Sequence, residues 1–451
     1  MSYPKSTPSV EAFNAALANL KRSLSPNLAG KTPPSSKDYY ARLQAIPLLI
    51  WWGERKLANA YAQDIFTKET ESGWPKGDEL LELELTHRFL TAEDLMLDDV
   101  VERLLVRIEA EVAELQSPRP NAQEVSSHLK TRWLAGQLSS YELGRGGKAL
   151  LGRGEHELAG GLLKMAAQEQ REDGTYPSLH QSGHTCLKGL LEMASAWFRA
   201  GDLVAGERAF GAFLKSFGKG QFFSSPTSPY AGPEALIHAT TFLETLRDRV
   251  TCTFEATAMR FPKSIASDDG RFKIVDELVA KHRPKVVADI GCGKGRFIRL
   301  LKERYPEINA IAVDLSTTML EELPSEITAR QGTLLNTSLA TGSVDLVFCV
   351  EALEHALNTR AGVQELARIT APSGVLVIID KDVKKLGTLQ ICDWEQWFDR
   401  EVLSGWMKEE GFRVTVLDRI DHGGISGEDR LFLAWVGENS QNTESQRTLT
   451  E

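Results

Sequence analysis

The stretch Val-Val-Ala-Asp-Ile-Gly-Cys-Gly-Lys-Gly at residues 286–295 decides the fold of the second half of the chain. Its apolar, β-branched beginning is typical of a strand buried on both faces. Gly291, Gly293 and Gly295 then allow a sharp turn and let a ligand lie against the backbone. The amphipathic residues 297–305 that follow predict a helix. Strand, glycine turn and helix together predict a cradle for a nucleotide-type ligand.

The residues around this turn indicate which kind of nucleotide it holds. The spacing Gly-x-Gly-x-Gly after Asp289 differs from the Gly-x-Gly-x-x-Gly of dinucleotide sites. A diphosphate needs amide donors without a nearby carboxylate, whereas an acid at the strand end suits an ammonium or sulfonium group. A second predicted strand, residues 309–313, leads to Asp314, nineteen residues after Gly295. Its carboxylate is placed to accept hydrogen bonds from ribose hydroxyls.

With these features, residues 250–437 resemble the class I S-adenosylmethionine-dependent methyltransferases. The resemblance continues through Gly332-Thr333, a predicted strand at 344–350, the string Glu351-Ala-Leu-Glu354-His355, and a late strand at 375–379. It implies an α/β Rossmann-like domain with a seven-stranded sheet and S-adenosyl-L-methionine as cofactor. By the same resemblance, Asp314 takes the ribose and Leu315 packs near the adenine. The implied cofactor-binding residues are Asp289, Gly291, Cys292, Gly293, Gly295, Asp314, Leu315, Gly332, Thr333 and Glu351.

Candidate catalytic residues follow two of the predicted strands. His355 is the first choice for a general base, because imidazole titrates near neutral pH; the alternative is that it only shapes the pocket. Lys381 and Asp382 follow the late strand, where residues face the transferred methyl group in related folds, and either could orient an acceptor. Trp394 could stack on the acceptor.

Two arginines precede the α/β domain. Arg260 and Arg271 stand where many class I enzymes carry a leading helix that covers the cofactor. Both are candidate substrate contacts.

Residues 1–235 predict an all-α repeat domain. Gly154 and Gly201 align at an offset of 47, and an earlier copy covers residues 51–75. Such helical hairpins must stack to bury their apolar faces. Their glycine-aromatic loops resemble the α/α-toroid domains of terpene cyclases, polysaccharide lyases and glycan-processing hydrolases; an open solenoid is the alternative. The candidate acceptor-lining residues are Trp74, Tyr176 and His180. His180 and His184 could share a helix face as metal ligands do, but no third ligand stands at a telling spacing, so no metal is predicted.

Chain length, charge and cysteine content indicate the number of domains, the kind of partner and the location. A chain of 451 residues exceeds what one core usually supports, so we expect two domains. The net charge of −10 makes nucleic acid an unlikely partner. Five scattered cysteines and no apolar leader or membrane-spanning run predict a cytoplasmic protein. The predicted boundaries are a helical domain at 1–235, a bridging helix at 236–250, the methyltransferase domain at 251–437 and a disordered tail at 438–451.

Four functions are compatible with this sequence. The first is methyl transfer by in-line displacement to a hydroxyl of a glycan or glycosylated metabolite held partly by the helical domain. The second is a small-molecule methyltransferase of secondary metabolism or cofactor synthesis. The third follows from Glu351-x-x-Glu354-His355, which resembles the metal-dependent terminal 2′-O-methyltransferases of RNA, although Cys392-Asp393 stands where those enzymes supply another histidine. The fourth is a non-catalytic scaffold. The oligomeric state is not predicted.

Overall fold

The computed structural model describes residues 121–217, 233–386, 389, 392, 394–421 and 431–439, with a few residues between 43 and 106. The chain forms two compact units: a helical one that ends at Ala256, and a second one that consists mainly of Thr257–Glu451. Two predicted features lie outside the described residues: the repeat copy around Trp74 and the tail beyond Asn439. Among the described residues, no helix combines the length and apolar character that crossing a membrane requires.

The helical unit is built from α-helices joined by short turns. Two hairpins, α2–α3 and α4–α5, begin 47 residues apart. The predicted bridging helix at 236–250 is the middle of a longer helix, α6, which the structure places in this unit. The helices are α1 Ala122–Leu134, α2 Ser140–Gly152, α3 His156–Ala167, α4 Leu187–Arg199, α5 Leu203–Phe217 and α6 Pro233–Thr257.

A left-handed glycine ends the first helix of each hairpin. Gly154 has a φ of 77° and Gly201 a φ of 80°. The next residue of each hairpin, Glu155 or Asp202, donates its N–H over 3.0 Å to a carbonyl of the preceding helical turn. This is the Schellman arrangement, which satisfies carbonyls that the helix end would leave open. The described helices do not show a closed ring, so the toroid stays a prediction.

Buried ion pairs hold α6 to the two hairpins. The ammonium of Lys148 lies 2.6 Å from Glu192 and 2.7 Å from Glu244. The guanidinium of Arg199 lies 2.7 Å from Asp248. Removing one partner of such a pair leaves an uncompensated buried charge, so these contacts fix how the three helices pack.

The second unit is a seven-stranded sheet with strand order β3-β2-β1-β4-β5-β7-β6, in which only β7 runs antiparallel to its neighbours. This confirms the expected Rossmann-like class I methyltransferase fold. The strands are β1 Val286–Ile290, β2 Asn309–Asp314, β3 Thr328–Gln331, β4 Val344–Val350, β5 Thr370–Lys381, β6 Phe412–Leu417 and β7 Phe432–Asn439. The helices are α7 Gly270–His282, α8 Arg296–Arg304, α9 Thr317–Leu320, α10 Thr359–Ile369 and α11 Arg400–Glu409.

The central strands form the core of this unit. Val287, Leu346 and Val377 of β1, β4 and β5 are fully buried, as expected for parallel strands covered on both faces. Because β1, β2, β4 and β5 are parallel, their carboxyl ends meet at one edge, the usual ligand-binding edge of open α/β sheets. β5 is longer than the predicted 375–379, and β7 continues through Asn439, past the predicted start of the tail. Pairing with β6 explains the latter, because Glu438 and Asn439 have partners on that strand.

Candidate functional site

The glycine turn lies between β1 and α8, and its three glycines have different neighbours. Gly291, Gly293 and Gly295 have φ angles of 75°, 53° and 76°, which only glycine adopts without strain. A Cβ added to Gly291 would lie 2.3 Å from Cβ of Ala352, so the chain there admits no side chain. A Cβ added to Gly293 would meet only Sδ of Met319, at 3.6 Å. Gly293 therefore presents the open face against which a ligand can lie.

Asp314, at the end of β2, is held toward this turn. Its Oδ2 accepts the N–H of Gly293 over 2.8 Å, and its Oδ1 accepts the N–H of Ser316 over 2.9 Å. The N–H of Gly332 reaches the Asp314 carbonyl over 3.0 Å. Leu315 follows and is half-buried. The carboxylate of Asp314, the candidate ribose ligand, is thus oriented by backbone N–H groups of the glycine turn and of the residues after β2.

Thr333 closes the turn after β3. Its Oγ1 accepts the N–H groups of Leu335 at 3.2 Å and Asn336 at 3.1 Å. This hydroxyl shapes the backbone beside Gly332.

Asp289 lies in β1 beneath the turn and is 2% exposed. Burial raises the pKa of this carboxyl to about 8, with a smaller opposing effect from Arg296. Its Oδ2 has no hydrogen-bond partner among the described residues. Beside it, Cys292 is buried, and burial raises the pKa of its thiol well above the ordinary value. A buried acid with one oxygen that lacks a donor fits a ligand with a cationic group, such as the ammonium of S-adenosylmethionine.

Glu351, directly after β4, is held in a left-handed conformation with a φ of 53°. Its Oε1 meets the guanidinium of Arg271 and that of Arg296, the latter at 2.6 Å. Burial raises the pKa of Glu351, but the two guanidinium groups outweigh burial and hold it below its usual range. Arg271, predicted as a substrate contact, is itself 5% exposed and also pairs with Asp269 over 2.8 Å. Its donors therefore serve contacts within the protein.

A second group of charges lies at the carboxyl ends of β4 and β5. Oε1 of Glu354 contacts the ammonium of Lys381 and lies 3.4 Å from Nε2 of His355. The N–H of Glu354 donates to Asp380 over 3.1 Å. Burial raises the pKa of Asp380 to about 7 and lowers that of His355 to about 4. The imidazole is therefore neutral at physiological pH. We call Glu354, His355, Asp380 and Lys381 the acceptor-edge cluster.

The segment 394–399 packs against this cluster. Oε1 of Glu395 lies 3.6 Å from the Lys381 ammonium and accepts the indole N–H of Trp397 over 2.8 Å. Trp394, expected to stack on the acceptor, is 2% exposed. Asp382, next to Lys381, caps the short helix Val383–Lys385 by accepting the N–H of Lys384 over 3.0 Å. The Asp382 carboxylate therefore serves as a helix cap.

Two of the candidates in the helical unit, Tyr176 and His180, make contacts within that unit. Tyr176 is 1% exposed, and its hydroxyl accepts the indole N–H of Trp197 over 2.9 Å. His180 pairs with Glu169. The idea that His180 and His184 share a helix face is wrong, because both lie in the loop between α3 and α4. Within the described ranges, no group of three histidine, cysteine or acidic side chains could hold a metal ion.

Sequence reasoning missed several residues of the site. Arg296, Asp380 and Glu395 carry no motif, and only their positions directly after the glycine turn or beside predicted residues pointed to them. Arg260, the other predicted substrate contact, is exposed at the end of a short helical turn ahead of α7.

Comparison with known proteins assigns a class to the second unit. Residues 288–378 match the family model of the methyltransferase domain. This unit therefore contains a class I S-adenosylmethionine-dependent methyltransferase domain, and its fold implies S-adenosylmethionine as the cofactor.

Individual relatives are similar over part of their length. A segment of 126 residues is 29% identical to the 2-methyl-6-phytyl-1,4-hydroquinone methyltransferase of Synechocystis sp. and covers 27% of this chain and 39% of that enzyme. A segment of 103 residues is 30% identical to the small RNA 2′-O-methyltransferase of Mus musculus and covers 19% of this chain and 26% of that protein. A solved S-adenosylmethionine-dependent methyltransferase from Mesorhizobium loti matches with a TM-score of 0.33 at 15% identity, covering 38% of this chain and 99% of that one. The chain thus spans less than two fifths of the length of the first two relatives.

Proposed function

We propose that this protein methylates a hydroxyl group of a small molecule, with S-adenosylmethionine as donor. One observation carries the proposal: Gly293 presents an open backbone face between Asp314, which is oriented by backbone donors, and Asp289, a buried acid without a donor for its Oδ2. This set suits a nucleoside that carries a positive charge.

Each residue of the turn has a distinct role in holding the donor. Asp314 accepts hydrogen bonds from the ribose, and Leu315 packs near the adenine. Asp289 attracts the ammonium, while Gly293 lets the methionine part approach the backbone. The cofactor supplies, when bound, a methyl group on a sulfonium whose sulfur leaves with the bonding electron pair. The protein needs to align the acceptor, exclude water and take up one proton.

His355 is the proposed general base. Its imidazole is neutral at physiological pH, because burial lowers its pKa to about 4, so it does not first have to lose a proton. His355 would take up the hydroxyl proton of the acceptor on the ring nitrogen that carries the lone pair. The low pKa makes the imidazole a weak base, which suits an acceptor with an acidic hydroxyl, such as a hydroquinone.

Three observations favour a small acceptor over the alternatives. The hydroquinone methyltransferase relative acts, by its name, on a small molecule. Tyr176, proposed to line a glycan-binding loop, is buried with its hydroxyl engaged. In a metal-dependent RNA methyltransferase, the carboxylates of Glu351 and Glu354 would have to bind a metal ion. Here Glu351 is paired with arginines and Glu354 with Lys381. The glycan and RNA acceptors are therefore less favoured.

Methyl transfer from isotope-labelled S-adenosylmethionine tests this proposal. The purified protein is incubated with labelled cofactor and three acceptor sets: hydroquinones and other phenols, oligosaccharides, and small RNA. We expect label in the phenols, and none with the variant His355→Gln, which should still bind cofactor. Label in RNA or oligosaccharide instead would overturn the small acceptor. Absence of cofactor binding by calorimetry would overturn the methyltransferase itself.

A further inference from the structure

The acceptor-edge cluster contains a cation of its own. Glu354 follows β4 and Lys381 ends β5, so the parallel strands bring both to the same edge. Both are buried, at 1% and 9% exposure, and the ammonium contacts Oε1 of the carboxylate. Burial alone would lower the pKa of Lys381, but the neighbouring carboxyl groups outweigh it and raise it, so the ammonium keeps its charge.

The same carboxylate oxygen also faces the proposed base. Nε2 of His355 lies 3.4 Å from Oε1 of Glu354. Oε1 is the oxygen that the Lys381 ammonium contacts, so it acts as an acceptor, and its contact with the ring favours the tautomer with the proton on Nε2 and the lone pair on Nδ1. The backbone of Glu354 is held by Asp380 over 3.1 Å and by the N–H of Gln396 over 2.9 Å. Glu354 is thus fixed on both sides.

The buried acidic side chains around the Lys381 ammonium require one compensating positive charge. Glu395 lies 3.6 Å from the same ammonium, and burial raises the pKa of Asp380 to about 7 and that of Glu354 well above its usual value. Glu351, the other acid of the Glu-x-x-Glu-His string, has its own cations in Arg271 and Arg296. A divalent metal would have to displace these groups.

We propose that Lys381 is the resident cation of the acceptor edge: it holds Glu354 so that the carboxylate fixes the imidazole of His355, in place of a divalent metal ion. Lys381 is then a positioning residue that acts through Glu354. The inference rests on the proposed role of His355 as base, but its physical content can be measured without an acceptor.

Nitrogen-15 NMR of labelled histidines tests the proposal on the full chain. The signal of His355 is assigned by its loss in His355→Gln. In the wild-type protein we expect the Nε2–H tautomer. In Lys381→Met we expect loss of that fixed tautomer and a rise in the His355 pKa of about one unit or more, because a nearby positive charge is removed. Groups that face the ring and contribute to its titration are Glu351, Glu354, Lys381 and Glu395.

Controls separate positioning from general stability. Lys384→Met removes an exposed lysine three residues away and should change neither tautomer nor pKa. Lys381→Arg keeps the charge and should restore most of the wild-type tautomer. If Lys381→Met fails to fold, Glu354→Leu is the second arm, because leucine removes the acceptor oxygen that faces Nε2 and should release the same tautomer.

Three results would overturn the proposal. The first is an unchanged His355 tautomer and pKa in Lys381→Met or, where that variant does not fold, an unchanged tautomer in Glu354→Leu. The second is a wild-type His355 without the Nε2–H tautomer. The third is stoichiometric Mn²⁺ binding to the wild-type protein, measured by electron paramagnetic resonance with the metal alone, that Glu354→Gln abolishes. Calorimetry with S-adenosylmethionine, run on the same samples, reports separately on the proposed function.

Discussion

The N–H of Gly293 donates a 2.8 Å hydrogen bond to Oδ2 of Asp314, so the turn after β1 and the acid at the end of β2 are fixed to each other. The same carboxylate is proposed to hold the ribose, and its orientation is therefore already set before a ligand arrives. Preorganisation of this kind strengthens binding because less freedom is lost when the ligand arrives.

Asp314→Asn should weaken cofactor binding. The amide keeps the shape of the side chain but loses the charge that strengthens its hydrogen bonds to ribose hydroxyls and to Gly293. Hydrogen bonds to charged groups contribute about 1.5–3 kcal/mol, so calorimetry should show a Kd for S-adenosylmethionine about 10–100-fold higher. Asp418→Asn, at an exposed acid, is the matched control. Equal affinity in both variants would contradict the ribose assignment.

Cofactor binding should strengthen as the pH rises toward 8. The carboxyl of Asp289 keeps its proton below about pH 8 in the free protein, since burial raises its pKa. A bound ammonium favours the ionised form, so binding releases a proton and the affinity should rise by up to about tenfold per pH unit. Calorimetry in buffers of different ionisation enthalpy measures the release. Asp289→Asn should release no proton from this site, and a release equal to that of the wild-type protein would contradict this assignment.

Asp289 should also make the folded protein less stable at high pH. An acid whose folded pKa lies above its unfolded pKa binds its proton more tightly when folded, so stability falls as the pH rises from about 4 to about 8. The variant Asp289→Asn has no ionisable group at this position and should not lose stability in this way as the pH rises. The melting temperature of the variant relative to the wild-type protein should therefore increase across that range and level off above it; a constant difference would refute the raised pKa.

Tyr176→Phe should destabilise the helical unit without changing cofactor affinity. The change leaves the indole N–H of Trp197 buried without its acceptor, which costs about 1–3 kcal/mol. Denaturant unfolding measures the loss. In the double variant Tyr176→Phe/Trp197→Phe no donor is left without a partner, so the two changes should cost less than the sum of the single ones. Strict additivity would show that the hydrogen bond does not contribute.

Gly154→Ala should destabilise, whereas Gly160→Ala should stabilise. A Cβ on either glycine meets nothing within 4 Å, so the two differ in backbone conformation alone. Gly154 has a φ of 77°, where alanine costs about 1–2 kcal/mol. Gly160 lies inside α3, where alanine gains about 0.5–1 kcal/mol. Thermal unfolding checks both signs, and the same sign for both would refute the assigned left-handed turn.

Local signals in the sequence accounted for most of the second unit. The run at 286–295 and Asp314 indicated the β1 turn and the acid at the end of β2, because apolar period, glycine spacing and strand ends are properties of neighbouring residues. Pairings between distant residues were not predictable. Arg271 and Glu351 are 80 positions apart in the chain, and no pattern links an arginine at a helix start to an acid after a strand.

Aromatic residues in the helical unit illustrate the other limit. A tyrosine in a glycine-rich loop suits a sugar-binding funnel and a packed core equally well. Packing decides between them, and here Tyr176 turns inward to Trp197. The histidines at 180 and 184 show the same limit, since a spacing of four predicts a shared face only where a helix forms.

Gly154 and Gly201 end corresponding helices of the two hairpins, so the helical unit has a repeat length. An insertion or deletion of 47 residues, the distance between them, would leave each left-handed position occupied by glycine and each following helix start in phase. A change of length that moves either glycine away from the end of its helix would place a residue with a side chain in a left-handed conformation. Whole-hairpin duplication is therefore the route by which such a unit can grow or shrink in evolution, and by which it can be resized in the laboratory.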